Sequence, residues 1–153
     1  MRISDLLRGR QRKSGSDRSD HRSDVVTVTP EQSIRELLAV LGQHNIGAAV
    51  VSPDGRTIAG IVSERDVVRA LDRHGAELLA SPVSEIMTRQ VRTCSPTDSV
   101  ADLREVMTEG RFRHVPVVLD GRLVSIVSIG DVVKSTIDQL ETEREHLVGY
   151  IQS

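Results

Sequence analysis

The phrase "IVSERDVVRAL" at residues 61–71 returns as "IVSIGDVVKST" at residues 126–136, with six of eleven positions identical. This self-similarity constrains the chain more than any single motif, because a supersecondary unit written twice must fold twice. The flanks repeat as well. Pro30 aligns with Pro96 and Ser33 with Ser99 at an offset of 66, and Asp66 aligns with Asp131 at an offset of 65. A small length difference around the first turn accounts for the change.

Within each copy the pattern is legible. In "VVTVTPEQSIRELLAVLGQ", Val26 and Val28 alternate with Thr as in a short strand closed by Pro30. Ile34, Leu37, Leu38 and Leu41 then follow helical spacing. "GAAVVSPDGRTIAGIVS" places two apolar runs around Pro-Asp-Gly, which predicts strand, tight turn and strand. Ser63 opens a helix with Val67, Val68 and Leu71 on one side. The second copy reads "VRTCSP" for strand and proline, and Val100, Leu103, Val106 and Met107 for a helix. "HVPVVLDGRLVSIVS" gives the hairpin, and Ser128 opens the last helix.

The expectation is an α+β fold of tandem β-α-β-β-α repeats. Each unit is too small to cover its own sheet, so the two should pack sheet to sheet about a pseudo-twofold axis. Residues 25–81 form the first repeat with its linker, and residues 82–140 the second. The linker, "RHGAELLASPVSEIMT", is long enough for a helical turn.

The ends differ from the repeats. Residues 8–24 hold no apolar side chain and read as flexible, preceded by a helical fragment at Ile3, Leu6 and Leu7; together they make residues 1–24 a flexible polar arm. Seven Arg and Lys against four Asp give this arm a charge of +3. In the C-terminal extension, residues 141–153, the last helix continues. Val133, Ile137, Leu140, Arg144, Leu147 and Ile151 recur in steps of four and three, a short coiled-coil seam. Such a seam predicts a homodimer; the competing reading folds the helix back on its own domain.

A net charge of −2, with Phe112 and Tyr150 the whole aromatic complement, argues against nucleic acid. The single Cys94 excludes an internal disulfide and suits a reducing compartment. No apolar run approaches the roughly 18 residues of a membrane span, and no apolar leader opens the chain. A cytoplasmic protein is expected.

No enzyme is expected either. Cys94 falls in a predicted strand with nothing to activate it. His21, His44, His74, His114 and His146 show no metal-ligand spacing, and Gly-rich phosphate loops are absent. Neither a catalytic cofactor nor a metal follows from these residues.

Ser-x-x-Asp at a helix start is close to a capping box, with Ser accepting from the first turn and Asp favoured by the helix dipole. Its recurrence at a strand-to-helix junction in both copies supports a second use. Such junctions gather N–H donors that bind phosphates, and a carboxylate there can accept two hydrogen bonds from a ribose diol. Cations stand close by in sequence. Arg69 and Lys134 each follow their Asp by one helical turn, and "RFRHVPVV" sets Arg111, Arg113 and His114 ahead of a buried strand.

The doubled unit, the endings "GIVSERD" and "SIVSIGD", the start "VSEIMTRQVRTCSPTDSV" and the segment "RHVPVV" together resemble a tandem pair of CBS domains, a Bateman module. The resemblance covers residues 25–140. It implies a stand-alone regulatory sensor that binds AMP, ADP, ATP, NAD(H) or S-adenosylmethionine in clefts between the repeats and signals to a regulated protein. It also implies site residues. Asp66 and Asp131 would hold ribose hydroxyls, and Ser63 and Ser128 would bond ribose or phosphate. One cleft would combine Ser63, Arg65 and Asp66 with Thr88, Val91, Arg113, His114 and Lys134, with backbone groups at Val115 and Pro116 reading adenine. The other would combine Ser128 and Asp131 with Thr27, Ala48 and Arg69.

Two departures stand out. Ser125 replaces Gly60, and the first repeat reads "NIGAAVV" where the second has the Arg-His pair, so the clefts should be chemically unequal. The competing function is a dimeric adaptor whose clefts are vestigial.

Overall fold

The structure, a computed structural model, describes residues 1–13 and 25–152. Residues 14–24, the remainder of the expected polar arm, lie outside the described residues. The chain divides into two compact units. One holds helix α1 (Ile3–Lys13), residues 94–115 and the chain from Val127 onward. The other holds the first repeat through Thr93 together with Pro116–Ile126. The division therefore does not follow the repeat boundary, because the tip of the second hairpin groups with the first repeat.

In the first-repeat unit, β1 (Thr27–Val28), β2 (Ala48–Val51) and β3 (Gly60–Ser63) form a sheet in that order, β1 parallel and β3 antiparallel to β2. Helix α2 (Ile34–His44) starts where the Ser33 hydroxyl accepts from the Glu36 N–H at 3.1 Å. It ends at Asn45, whose φ of 51° is left-handed. Ile34, Leu37 and Leu41 bury with Val28, Ala49, Val51 and Val62 in one core. Leu38, expected on this face, points outward.

Helix α3 (Glu64–His74) buries Val67 and Ala70, with Leu71 half-buried. Val68 is 66% exposed. Adjacent helical residues sit about 100° apart, so a stripe centred between Val67 and Ala70 cannot also hold Val68.

The β2–β3 connection is longer than the tight turn expected, running from Ser52 to Ala59. The Asp54 carboxylate organises it, accepting from the N–H groups of Arg56 and Thr57, both at 2.8 Å, and from the Thr57 hydroxyl at 2.9 Å. The linker forms two short 3₁₀ turns, Gly75–Ala80 and Val83–Glu85. Buried Val83 secures them, with its N–H bonded to the Gln32 carbonyl at 2.8 Å.

In the other unit, Ser99 caps α4 (Val100–Gly110) as Ser33 caps α2, and Arg111 ends it with φ 56° as Asn45 ends α2. Strands β4 (His114–Leu119) and β5 (Arg122–Ser128) are divided between the units and join through Asp120 and Gly121, which group with the first repeat; both are at positive φ, the geometry of a two-residue hairpin turn. The strand expected at "VRTCSP" does not form, and Cys94 makes only a single-residue bridge. Just after it the backbone is bonded to the N-terminus. The carbonyls of Pro96 and Asp98 accept from Ser4 and Ile3, both at 2.9 Å.

That N-terminus corrects a second expectation. The helical fragment at Ile3, Leu6 and Leu7 extends to Lys13, so residues 3–13 of the expected flexible arm are helix. Ile3 and Leu6 are buried, which supplies the anchoring that a wholly polar arm would lack. At the other end, α5 (Ile129–Gln152) is a single helix of 24 residues. Val132 is buried, whereas Leu147 and Ile151 of the seam are 64% and 81% exposed.

Candidate functional site

Both Ser-x-x-Asp phrases form reciprocal caps at a strand-to-helix junction. At the first, Asp66 Oδ2 accepts from the Ser63 N–H at 2.8 Å and from the Ser63 hydroxyl at 3.0 Å. The Asp66 N–H donates back to Ser63 Oγ at 3.3 Å. The Glu64 N–H is taken by the Gly47 carbonyl at 2.9 Å, so the residue before β2 also closes the start of α3. Asp66 Oδ1 accepts no hydrogen bond among the described residues.

Other expected residues gather on the same sheet. Ala48, buried in β2, pairs with Ser63 across the β2–β3 ladder, and Thr27 pairs with Val50 on the far side of β2. Thr88 lies against β3, exchanging two backbone hydrogen bonds with Ile61 at 2.9 and 3.0 Å. Val91, half-buried, follows three residues later. Arg65 and Arg69 are exposed on α3. Pro116 is buried in the part of β4 that belongs to this unit.

At the second phrase, Asp131 Oδ2 accepts from the Ser128 N–H at 2.9 Å and the Asp131 N–H donates to Ser128 Oγ at 3.1 Å. Here the carbonyl that takes the first helical N–H is that of Arg113, at 2.8 Å from Ile129 N. Arg113 is exposed, His114 half-buried and Val115 fully buried, while Lys134 is exposed one turn beyond Asp131.

One cation missed by the sequence reading joins this cap. Arg10, on α1, lies 3.7 Å from Asp131 Oδ2. The signal was present: Arg10 follows buried Ile3 by seven residues and Leu6 by four, so it shares their helical face. Treating the segment as an unstructured arm hid it.

Cys94 offers no nucleophile. Burial and the nearby Asp98 charge push its thiol up to about 12 from 9.0, so it stays protonated at neutral pH. Among the described residues no three His, Cys, Asp or Glu side chains converge in a way that would hold a metal. No described helix is long and apolar enough to cross a membrane.

Comparison with known proteins identifies the family of the repeats. The CBS-domain family model matches twice, at residues 19–73 and 83–138. A mitochondrial CBS domain-containing protein of Arabidopsis thaliana is 34% identical over 128 residues, 81% of this chain and 62% of that protein. The match thus spans less than two thirds of that relative. A CBS-domain containing protein of Agrobacterium tumefaciens is 45% identical, with a TM-score of 0.77 over 89% of this chain and 99% of its own. A CBS domain protein of Pyrobaculum aerophilum, solved in complex with AMP, is 30% identical, with a TM-score of 0.69 over 86% of this chain and 89% of its own. The chain belongs to the CBS-domain family and carries the domain twice.

Proposed function

We propose that this pair of CBS domains is a regulatory module that binds an adenosine nucleotide, AMP foremost, and passes its occupancy to a partner protein. The observation that carries the reading is the matched pair of caps. At each, one carboxylate oxygen closes the helix, while Oδ1 accepts no hydrogen bond among the described residues. A ribose diol presents two donors, the complement of such a carboxylate. The AMP complex of the Pyrobaculum relative supports the choice of ligand.

The caps are equivalent in backbone and unequal in charge. The first helix is closed by the carbonyl of Gly47, the second by that of Arg113, with Lys134 on the same unit. The two sites therefore differ in their preference for phosphorylated ligands. The module carries no chemistry of its own, in keeping with the protonated Cys94 thiol.

The chain also pairs with a second copy through α5. From Val133 onward the seam residues are exposed. A free-standing helix the length of residues 141–152 is marginal in water without a packing partner.

The test is a thermal-shift and calorimetric screen with adenosine, AMP, ADP, ATP, NAD(H) and S-adenosylmethionine. A ligand at 100 times its Kd adds about 2.7 kcal/mol of stability. A shift with AMP that shrinks in Asp66→Ala and Asp131→Ala is the expected result. No shift with any of the six would favour the adaptor with vestigial clefts.

A further inference from the structure

Helix α1 is fixed very differently at its two ends. Its start is held by burial of Ile3 and Leu6, by the backbone bonds of Ile3 and Ser4 to Asp98 and Pro96, and by the Val100 N–H donating to the Met1 carbonyl at 3.0 Å. From Arg8 to Arg10 every residue is exposed. One contact between this end and α5 is the Arg10–Asp131 ion pair, with side chains 44% and 28% exposed. A pair so open to water is weak and easily exchanged for another partner.

Its position matters more than its strength. The Arg10 guanidinium lies near the capped oxygen, Oδ2, of the carboxylate whose Oδ1 the proposed ribose contact uses, and so draws on the same charge. The internal control is the first cap, which has the same Ser–Asp geometry, although among the described residues Asp66 makes no ion pair. The two sites thus differ by a guanidinium supplied from a helix outside the repeats.

We infer that Arg10 sets the affinity of the Ser128–Asp131 site by competing with the ribose hydroxyls for the charge of Asp131. This rests on the reading of Asp131 as a ribose acceptor. Competition acts on the sugar and is therefore blind to phosphate: adenosine and AMP feel it equally. A phosphate-binding role for Arg10 has the opposite signature, a loss for AMP with adenosine unchanged.

The experiment is calorimetry with adenosine and AMP in an Asp66→Ala background, which isolates the second site; Asp66→Asn replaces it if the alanine variant does not fold. Adding Arg10→Ala should tighten both ligands by a similar factor, up to about fivefold, the range of an exposed pair. Arg10→Lys should restore most of the competition. Unchanged affinity for both ligands in Arg10→Ala, or weaker AMP with unchanged adenosine, would overturn the inference. Absence of binding in the parent chain, or binding unaffected by Asp131→Ala, would instead overturn the reading of the site on which it rests.

Discussion

Gly60 lies so close to Thr88 that a Cβ on the glycine would stand 2.8 Å from the Thr88 carbonyl oxygen and 2.8 Å from the Met87 sulfur. The close approach lets residue 88 pair with Ile61 at the edge of β3. It therefore positions one of the expected nucleotide-site residues. The neighbouring backbone has no flexible end to yield, so Gly60→Ala is expected to destabilise the chain by about 1–3 kcal/mol, as overpacking does. Chemical denaturation would measure it, and a cost near zero would mean that the Thr88 strand shifts freely.

Removing either cap carboxylate should cost stability and binding separately. Asp66→Ala and Asp131→Ala are each expected to lose about 1 kcal/mol of stability, the usual worth of a helix cap. Their AMP affinities should fall unequally, since Arg10 and the Arg113 carbonyl accompany only the second cap. Calorimetric titration of both variants decides this, and equal losses would contradict unequal sites.

The exposed seam of α5 makes a prediction about assembly. Leu147→Asp and Ile151→Asp should shift the chain from dimer to monomer in light scattering, with unfolding of the two compact units nearly unchanged. Both side chains are largely exposed in the single chain, so neither supports its own core. A monomeric parent would remove the premise.

The β2–β3 loop should report on acid. Hydrogen bonds from Thr57 and Arg56 hold the Asp54 carboxyl well below its usual value of 3.8. A carboxylate with a depressed pKa stabilises the fold above its unfolded pKa and loses that contribution as pH falls through the folded one. The Tm advantage of the parent over Asp54→Asn should thus be complete above about pH 5 and shrink steadily on acidification. A constant difference would show that these hydrogen bonds do not favour the charged form.

Cys94 should behave in the opposite sense. Its thiol is raised from 9.0 to about 12, so the native chain holds a proton that the unfolded chain releases between those values. Stability from this group is full below pH 9 and declines as pH rises toward 12. Alkylation by iodoacetamide at pH 8 should be much slower in the native chain than in denaturant. Equal rates would show that the thiol is neither buried nor perturbed.

Much of this protein was written into the sequence by local rules. The repeated phrase fixed two copies of one unit, and Ser33, Ser63, Ser99 and Ser128 each open a helix because a hydroxyl can satisfy an orphan N–H. The Ser–Asp pairs were legible because their partners lie three residues apart. Contacts between residues far apart in the chain were not. The first strand of the second repeat is reduced to a single bridge at Cys94, and the carbonyls that follow it accept from Ile3 and Ser4. The need for glycine at residue 60 shows only in the approach of Thr88. Arg10 reaches Asp131 only because Ile3 and Leu6 bury α1 on its unit. Periodicity and capping act within about four residues, so the sequence by itself determined the elements and the two half-sites. Burial and charge act between segments more than a hundred residues apart, so only the tertiary structure decided which half-site carries a competing cation.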